Sequence, residues 1–279
     1  MSVEEYGKNE AGRAARAGSG AASPFHAALA RSLARRGLSF DDFCPAGDTL
    51  TRRVLEEYGA MFVAEGVRLP GACVFESEEA VERFQRDAGW RAETLDGSII
   101  ELQPAAMSAL MDAREAAAHA GLLVTPRGGS EAARRSYADS LRLWRSRCDP
   151  ALDHWCAEGR LEGAEAERLR RLPLREQASA VLELERGGIF FSKDFKKSIL
   201  QSVAAPGASQ HLAMLAIDIE EFPDPRVCRL LARHGWFQTV LSDLPHFTYL
   251  GLEERRLASR GLRRVESAGQ IFWVPDMAA

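Results

Sequence analysis

Two histidines and two aspartates near the end of this 279-residue chain stand where their side chains can act together. The stretch Ser209-Gln210-His211-Leu212-Ala213-Met214-Leu215-Ala216-Ile217-Asp218 is followed by Asp243-Leu244-Pro245-His246. Two imidazoles and one carboxylate, His211, His246 and Asp218, make a three-ligand set for a divalent ion, zinc before others, with a fourth position left for water. That is the arrangement of a catalytic zinc rather than a structural one. Fully extended, the chain from His211 to Asp218 would cover roughly 23 Å at about 3.3 Å per residue, too far for two ligands of one ion, so the segment must turn on itself. The alternation of Leu215, Ile217 and Ile219 reads as a strand that carries Ala216 and Asp218 on its other face. His26, His119, His154 and His234 lack such company and read as structural or solvated, and Ser209 reads as a hydrogen-bonding loop residue rather than a nucleophile, because no base accompanies it.

At these residues the chain resembles the zinc D-alanyl-D-alanine carboxypeptidases and dipeptidases, the VanY-like metallopeptidases with the hedgehog/DD-peptidase fold. Their signature has the form S-x-H-x-x-G-x-A-x-D followed by E-x-x-H. Ser209, His211, Ala216 and Asp218 match its first part, His246 matches the second histidine, and Pro206-Gly207 stand upstream where the family tends to have Pro-Gly. Met214 replaces the family's glycine and Asp243 its catalytic glutamate. The resemblance implies zinc held by His211, Asp218 and His246, with Asp243 as the proton carrier.

It also implies an arginine that holds the substrate and developing oxyanion charge. Arg127, expected at the end of a strand over Leu122–Thr125, ranks slightly ahead on geometry. Arg135-Ser136-Tyr137 fits the family's G-Y-R-S-type wording better, with Ser140 where glutamine is usual. The implied activity is hydrolysis of a peptide of cell-wall type, such as a peptidoglycan stem peptide. The alternative is a zinc-containing peptide- or peptidoglycan-binding module of the same fold that has lost turnover.

Composition sets wider bounds. With 46% hydrophobic and 27% charged residues the chain is ordinary for a globular protein. Its net charge of −4 gives no basic excess for a nucleic-acid partner. No apolar run approaches the ~18 residues of a membrane span. Met1 to Ser23 is rich in Gly, Ala and charge, carries no apolar signal core, and reads as disordered. A periplasmic or extracellular location would require that a signal peptide has been removed; otherwise the expectation is cytoplasmic. Cys44, Cys73, Cys148, Cys156 and Cys228 form no C-x-x-C pair and read as reduced thiols, with Cys44–Cys73 and Cys148–Cys156 as the pairs an oxidising compartment would allow.

The elements that must position the site follow an α+β pattern: a small antiparallel sheet carrying the zinc site, flanking helices, an N-terminal mixed α/β region over 25–96, and a metallopeptidase-like domain over 97–279. Helices are expected from Pro24 to Arg36 and from Leu50 to Glu65, a strand at Ala72–Phe75, and a helix capped by Ser77. A strand at Ser98–Leu102 precedes a helix opened by Pro104, with Met107, Leu110, Met111 and Ala118 on one face. Ser130 is expected to cap a helix running toward Trp144, and residues 147–188 read as a helical insertion closed by Gly187-Gly188. Within it, Asp153, His154 and Cys156 read as a polar helix surface. A helix over Asp224–His234, a strand at Trp236–Val240 and a final strand at Gly269–Val274 complete the pattern.

Overall fold

The computed structural model describes residues 22–44 and 49–278; of the stretch expected to be unstructured, Met1 to Ser23, residues up to 21 lie outside the described residues, while Ser23 is ordered, as the cap of the first helix. Helix α1 (Pro24–Arg35) starts at Ser23, whose hydroxyl accepts from the His26 N–H, and it buries Phe25, Ala28, Leu29 and Leu33. After a single turn, α2 (Phe40–Phe43), comes α3 (Thr49–Tyr58), which tightens into a 3₁₀ turn over Gly59–Val63. Helix α4 (Glu78–Ala88) is capped as expected by Ser77. The first hairpin pairs β1 (Arg91–Leu95) with β2 (Ser98–Leu102), antiparallel, and Pro104 then opens α5 (Pro104–His119). Helices α6 (Tyr137–Ala157), α7 (Gly163–Arg171) and α8 (Leu174–Arg186) follow.

Beyond them lie the short strands that matter most for the site: β3 (Ala216–Asp218), β4 (Trp236–Phe237) and β5 (His246–Tyr249), in the order β3-β5-β4 with both pairs antiparallel. Helix α9 (Pro225–Arg233) connects β3 to β4, and a closing hairpin joins β6 (Leu262–Ser267) to β7 (Gln270–Pro275). The fold is therefore α+β with small antiparallel sheets. One continuous apolar core includes Phe25, Phe62, Trp144, Phe191, Ile217, Trp236 and Phe247, drawn from both ends of the chain. Among the described residues no helix is long and apolar enough to cross a membrane.

Several expectations fail locally. Ala72–Phe75 is irregular, because it finds no strand to pair with; its amides reach two separate segments, Cys73 N–H to the Phe43 carbonyl and Phe75 N–H to the Gly207 carbonyl. Leu122–Thr125 is not a strand either. Leu123 is 70% exposed, and the only ladder contact nearby is an isolated bridge between Pro126 and Ile219. Ala118 faces solvent rather than the core, since the inward stripe of α5 runs through Ala106, Met107, Leu110, Ala113 and Ala117. The strand expected through Val240 stops at Phe237.

Ser130 caps nothing, for Gly129–Ala132 is a 3₁₀ turn. Helix α6 starts instead at Ser136, whose hydroxyl accepts from the Asp139 N–H while the Asp139 carboxylate accepts from the Ser136 N–H. That reciprocal cap satisfies two of the amides a helix start leaves open. It also fixes the residue immediately before it, Arg135. Ser136→Ala is expected to lower stability by about 1 kcal/mol, read from urea unfolding, and a midpoint that does not move would remove the cap from this account.

Candidate metal centre

Strand pairing makes the first half of the site. In the β3–β5 ladder Asp218 lies directly opposite His246, which places the two side chains side by side. His246 Nδ1 is 3.3 Å from Asp218 Oδ1. A turn makes the second half: Gln210–Ala213 winds into one 3₁₀ turn, and Met214 reverses the chain in the left-handed region, at φ 55° and ψ 35°. His211 is carried back so that its Nε2 lies 3.5 Å from the same Asp218 Oδ1. The two rings sit 4.9 Å apart, edge to face. One ligand atom from each of His211, Asp218 and His246 lies within 4.8 Å of the others, and among the described residues no second His, Cys, Asp and Glu group converges in this way.

Met214 is therefore a geometric residue. A side chain in the left-handed region costs roughly 1–2 kcal/mol. The Met214 side chain is fully buried, a gain of about 1.5–3 kcal/mol that offsets the strain without glycine. Gly207 has no such freedom. At φ 80° it lies so close to Phe75 that an added Cβ would come within 1.9 Å of the Phe75 carbonyl oxygen, which gives Pro206-Gly207 a steric cause.

The electrostatics suit a cation. Burial, aided by the Arg135 guanidinium, lowers the His211 pKa to about 4, so its ring is neutral at neutral pH and its Nε2 lone pair is free. Its other nitrogen, Nδ1, lies 2.7 Å from the Ala133 carbonyl, which can only accept, so Nδ1 carries the proton. Burial alone would raise the Asp218 carboxyl, but in the acid range, where the two histidines around it carry protons, their charge and hydrogen bonds outweigh burial and hold its pKa well below the ordinary carboxylate range. Arg135 donates to its other oxygen, Oδ2, at 2.8 Å. Two imidazole nitrogens and a carboxylate, each braced from behind, are the donor set that zinc takes.

A cavity of about 250 Å³ opens onto the centre, lined among others by Tyr58, Arg135, Arg147, Ser209, Asp243 and both histidines. Asp243 is accessible at the cavity mouth yet surrounded by protein, and the resulting dehydration pushes its carboxyl pKa up. Arg127 is elsewhere. Its guanidinium lies 3.6 Å from Glu220 and over the Phe222 ring, half exposed, and it does not line the cavity. Its backbone N–H donates to the Asp218 carbonyl at 2.8 Å, and its charge draws the Asp243 carboxyl down from a distance. Asp153 pairs with Arg170, and His154 stacks on Phe195.

Four residues at the centre carried no mark in the sequence. Gln210 fills a variable position of the motif, Tyr58 and Arg147 belong to stretches with no motif, and Thr248 reads as an ordinary strand residue. Only the fold reveals that Gln210 touches Tyr58, His246 and Thr248.

No family model matches the chain, and no curated protein matches it. Solved structures that the chain resembles include VanYB in complex with D-alanine-D-alanine, and a point mutant of the vancomycin-resistance D,D-pentapeptidase VanY from a VanB-type cassette in complex with Zn(II). The first is 17% identical over 60% of this chain and 81% of its own, with a TM-score of 0.36. The second is 17% identical over 60% and 82%, with a TM-score of 0.35.

The low His211 pKa has a consequence for stability. Between about pH 6.5 and about pH 4 the unfolded chain binds a proton at this ring that the folded, metal-free protein refuses. Stability therefore falls as pH drops through that window, by about 3 kcal/mol from this group. Asp218, whose folded pKa is depressed, adds a further loss below the usual carboxylate range. Urea unfolding of metal-free protein across the window, beside His211→Gln, should show a slope that the variant flattens; equal slopes would contradict it.

Proposed function

We propose that this chain is a zinc-dependent peptidase of the D-Ala-D-Ala carboxypeptidase type, hydrolysing a peptide of cell-wall type. The observation that carries the reading is the shared Asp218 Oδ1, 3.5 Å from His211 Nε2 and 3.3 Å from His246 Nδ1, at a cavity that also holds Asp243. His211, Asp218 and His246 would hold the ion. When bound, zinc supplies a Lewis acid for the scissile carbonyl and a water acidified to near neutrality.

The rest falls to the chain's own groups. Asp243, at the cavity mouth with its carboxyl pKa pushed up by burial, takes a proton from the attacking water and returns it to the leaving amine. Aspartate reaches one methylene less far than glutamate, so the reacting groups must approach it more closely. Arg135 holds Asp218 in orientation and keeps a fixed positive charge on the cavity wall, where an oxyanion or a peptide's terminal carboxylate would be stabilised. Arg127 steadies the Asp218 backbone from outside.

The shorter Asp243 side chain is the one observation that favours the second reading, a zinc-containing module that binds peptide or peptidoglycan without cutting it. Hydrolysis of a D-Ala-D-Ala-terminated peptide by zinc-loaded protein separates the two. The expected result is cleavage that Asp243→Ala reduces by about 10²–10⁴-fold at unchanged zinc content. An alanine variant as active as the parent would remove Asp243 from the mechanism. Cleavage by Asp243→Glu alone, with none by the parent, would establish the binding module.

A further inference from the structure

His211 takes its orientation from a backbone carbonyl, but His246 takes its own from a side chain. Gln210 is 1% exposed, and its Nε2 donates to the Tyr58 carbonyl at 2.8 Å. Its Oε1 accepts from the Thr248 hydroxyl at 2.5 Å and lies 2.8 Å from His246 Nε2. A carbonyl oxygen can only accept, so Tyr58 determines which end of the amide is nitrogen. The amide oxygen then faces His246, and His246 must present its N–H from Nε2. Its lone pair is left on Nδ1, the nitrogen that faces Asp218. The Thr248 proton is committed to Gln210, so Thr239, 2.6 Å away, donates to Thr248. Every proton along this buried chain has one consistent position, and the chain starts from a backbone oxygen that cannot rotate.

We propose that Gln210 is a positioning residue that selects the nitrogen His246 offers to the metal, and that Tyr58, at the end of α3, sets the sense of the Gln210 amide. The inference rests on the metal-centre reading above. It gives the N-terminal region a part in building the site, since the Tyr58 carbonyl comes from a segment more than 150 positions upstream of Gln210, a separation of 152. It also explains why a neutral amide serves here. A carboxylate at this position would add negative charge beside Asp218 and Asp243, in a place with little water to disperse it.

The test begins with the unmutated, metal-free protein. Long-range ¹H–¹⁵N spectra at mildly alkaline pH should show His246 protonated on Nε2 and His211 on Nδ1; a His246 proton on Nδ1 would overturn the proposal. Gln210→Leu, similar in size but without the acceptor, should mix the His246 tautomers, leave His211 unchanged, and weaken zinc affinity about 10–100-fold in competition with a chelator. A leucine variant with unaltered His246 signals and unaltered affinity would show that Gln210 only fills space. Should the parent take up no zinc at all, the metal reading fails, while the tautomer measurement still decides the orienting role of Gln210.

Discussion

The centre depends on one strand register, Asp218 opposite His246 in the β3–β5 ladder. Side chains alternate faces along a strand, so a slip by one residue would send one partner to the far side and leave a carboxylate against the apolar core. The register is held by its surroundings. Ile217 and Phe247, the next pair along, are buried, and Ile219 and Tyr249 extend the pairing through bonds to the Pro245 and Leu215 carbonyls. Core packing thus fixes a pair of polar side chains that would not choose each other on desolvation grounds.

Desolvation is the second constraint. A carboxylate and two imidazoles withdrawn from water need partners, and each has them on the side away from the centre: Arg135 for Asp218, the Ala133 carbonyl for His211, Gln210 for His246. The guanidinium balances the Asp218 charge, and burial keeps His211 unprotonated, with its lone pair already facing the centre. Asp243 stands apart from these braces, accessible at the cavity mouth, as a group that must exchange protons should.

What could be read in the sequence was chemistry carried by residue type and spacing. Histidines are few, 6 in the whole chain, and the need for a turn between His211 and Asp218 follows from chain geometry alone. What could not be read depended on partners distant in the chain. Ala72–Phe75 has strand composition but no neighbouring strand, and Leu122–Thr125 meets the β3 segment only at its very end, through Thr125, Pro126 and Arg127, so no strand carries the Arg127 side chain into the cleft. Arg135, expected inside a helix, precedes the Ser136 cap and is therefore free to turn toward Asp218. Gln210 and Tyr58 were illegible for the same reason: the carbonyl of one and the amide of the other meet only in the folded chain.

Anomalous diffraction at the zinc edge, from crystals of the full chain soaked with zinc, tests the central claim most directly. The account predicts a single strong peak bounded by His211 Nε2, Asp218 Oδ1 and His246 Nδ1, with the three side chains close to their metal-free positions. A peak elsewhere, or none at saturating zinc, would contradict it.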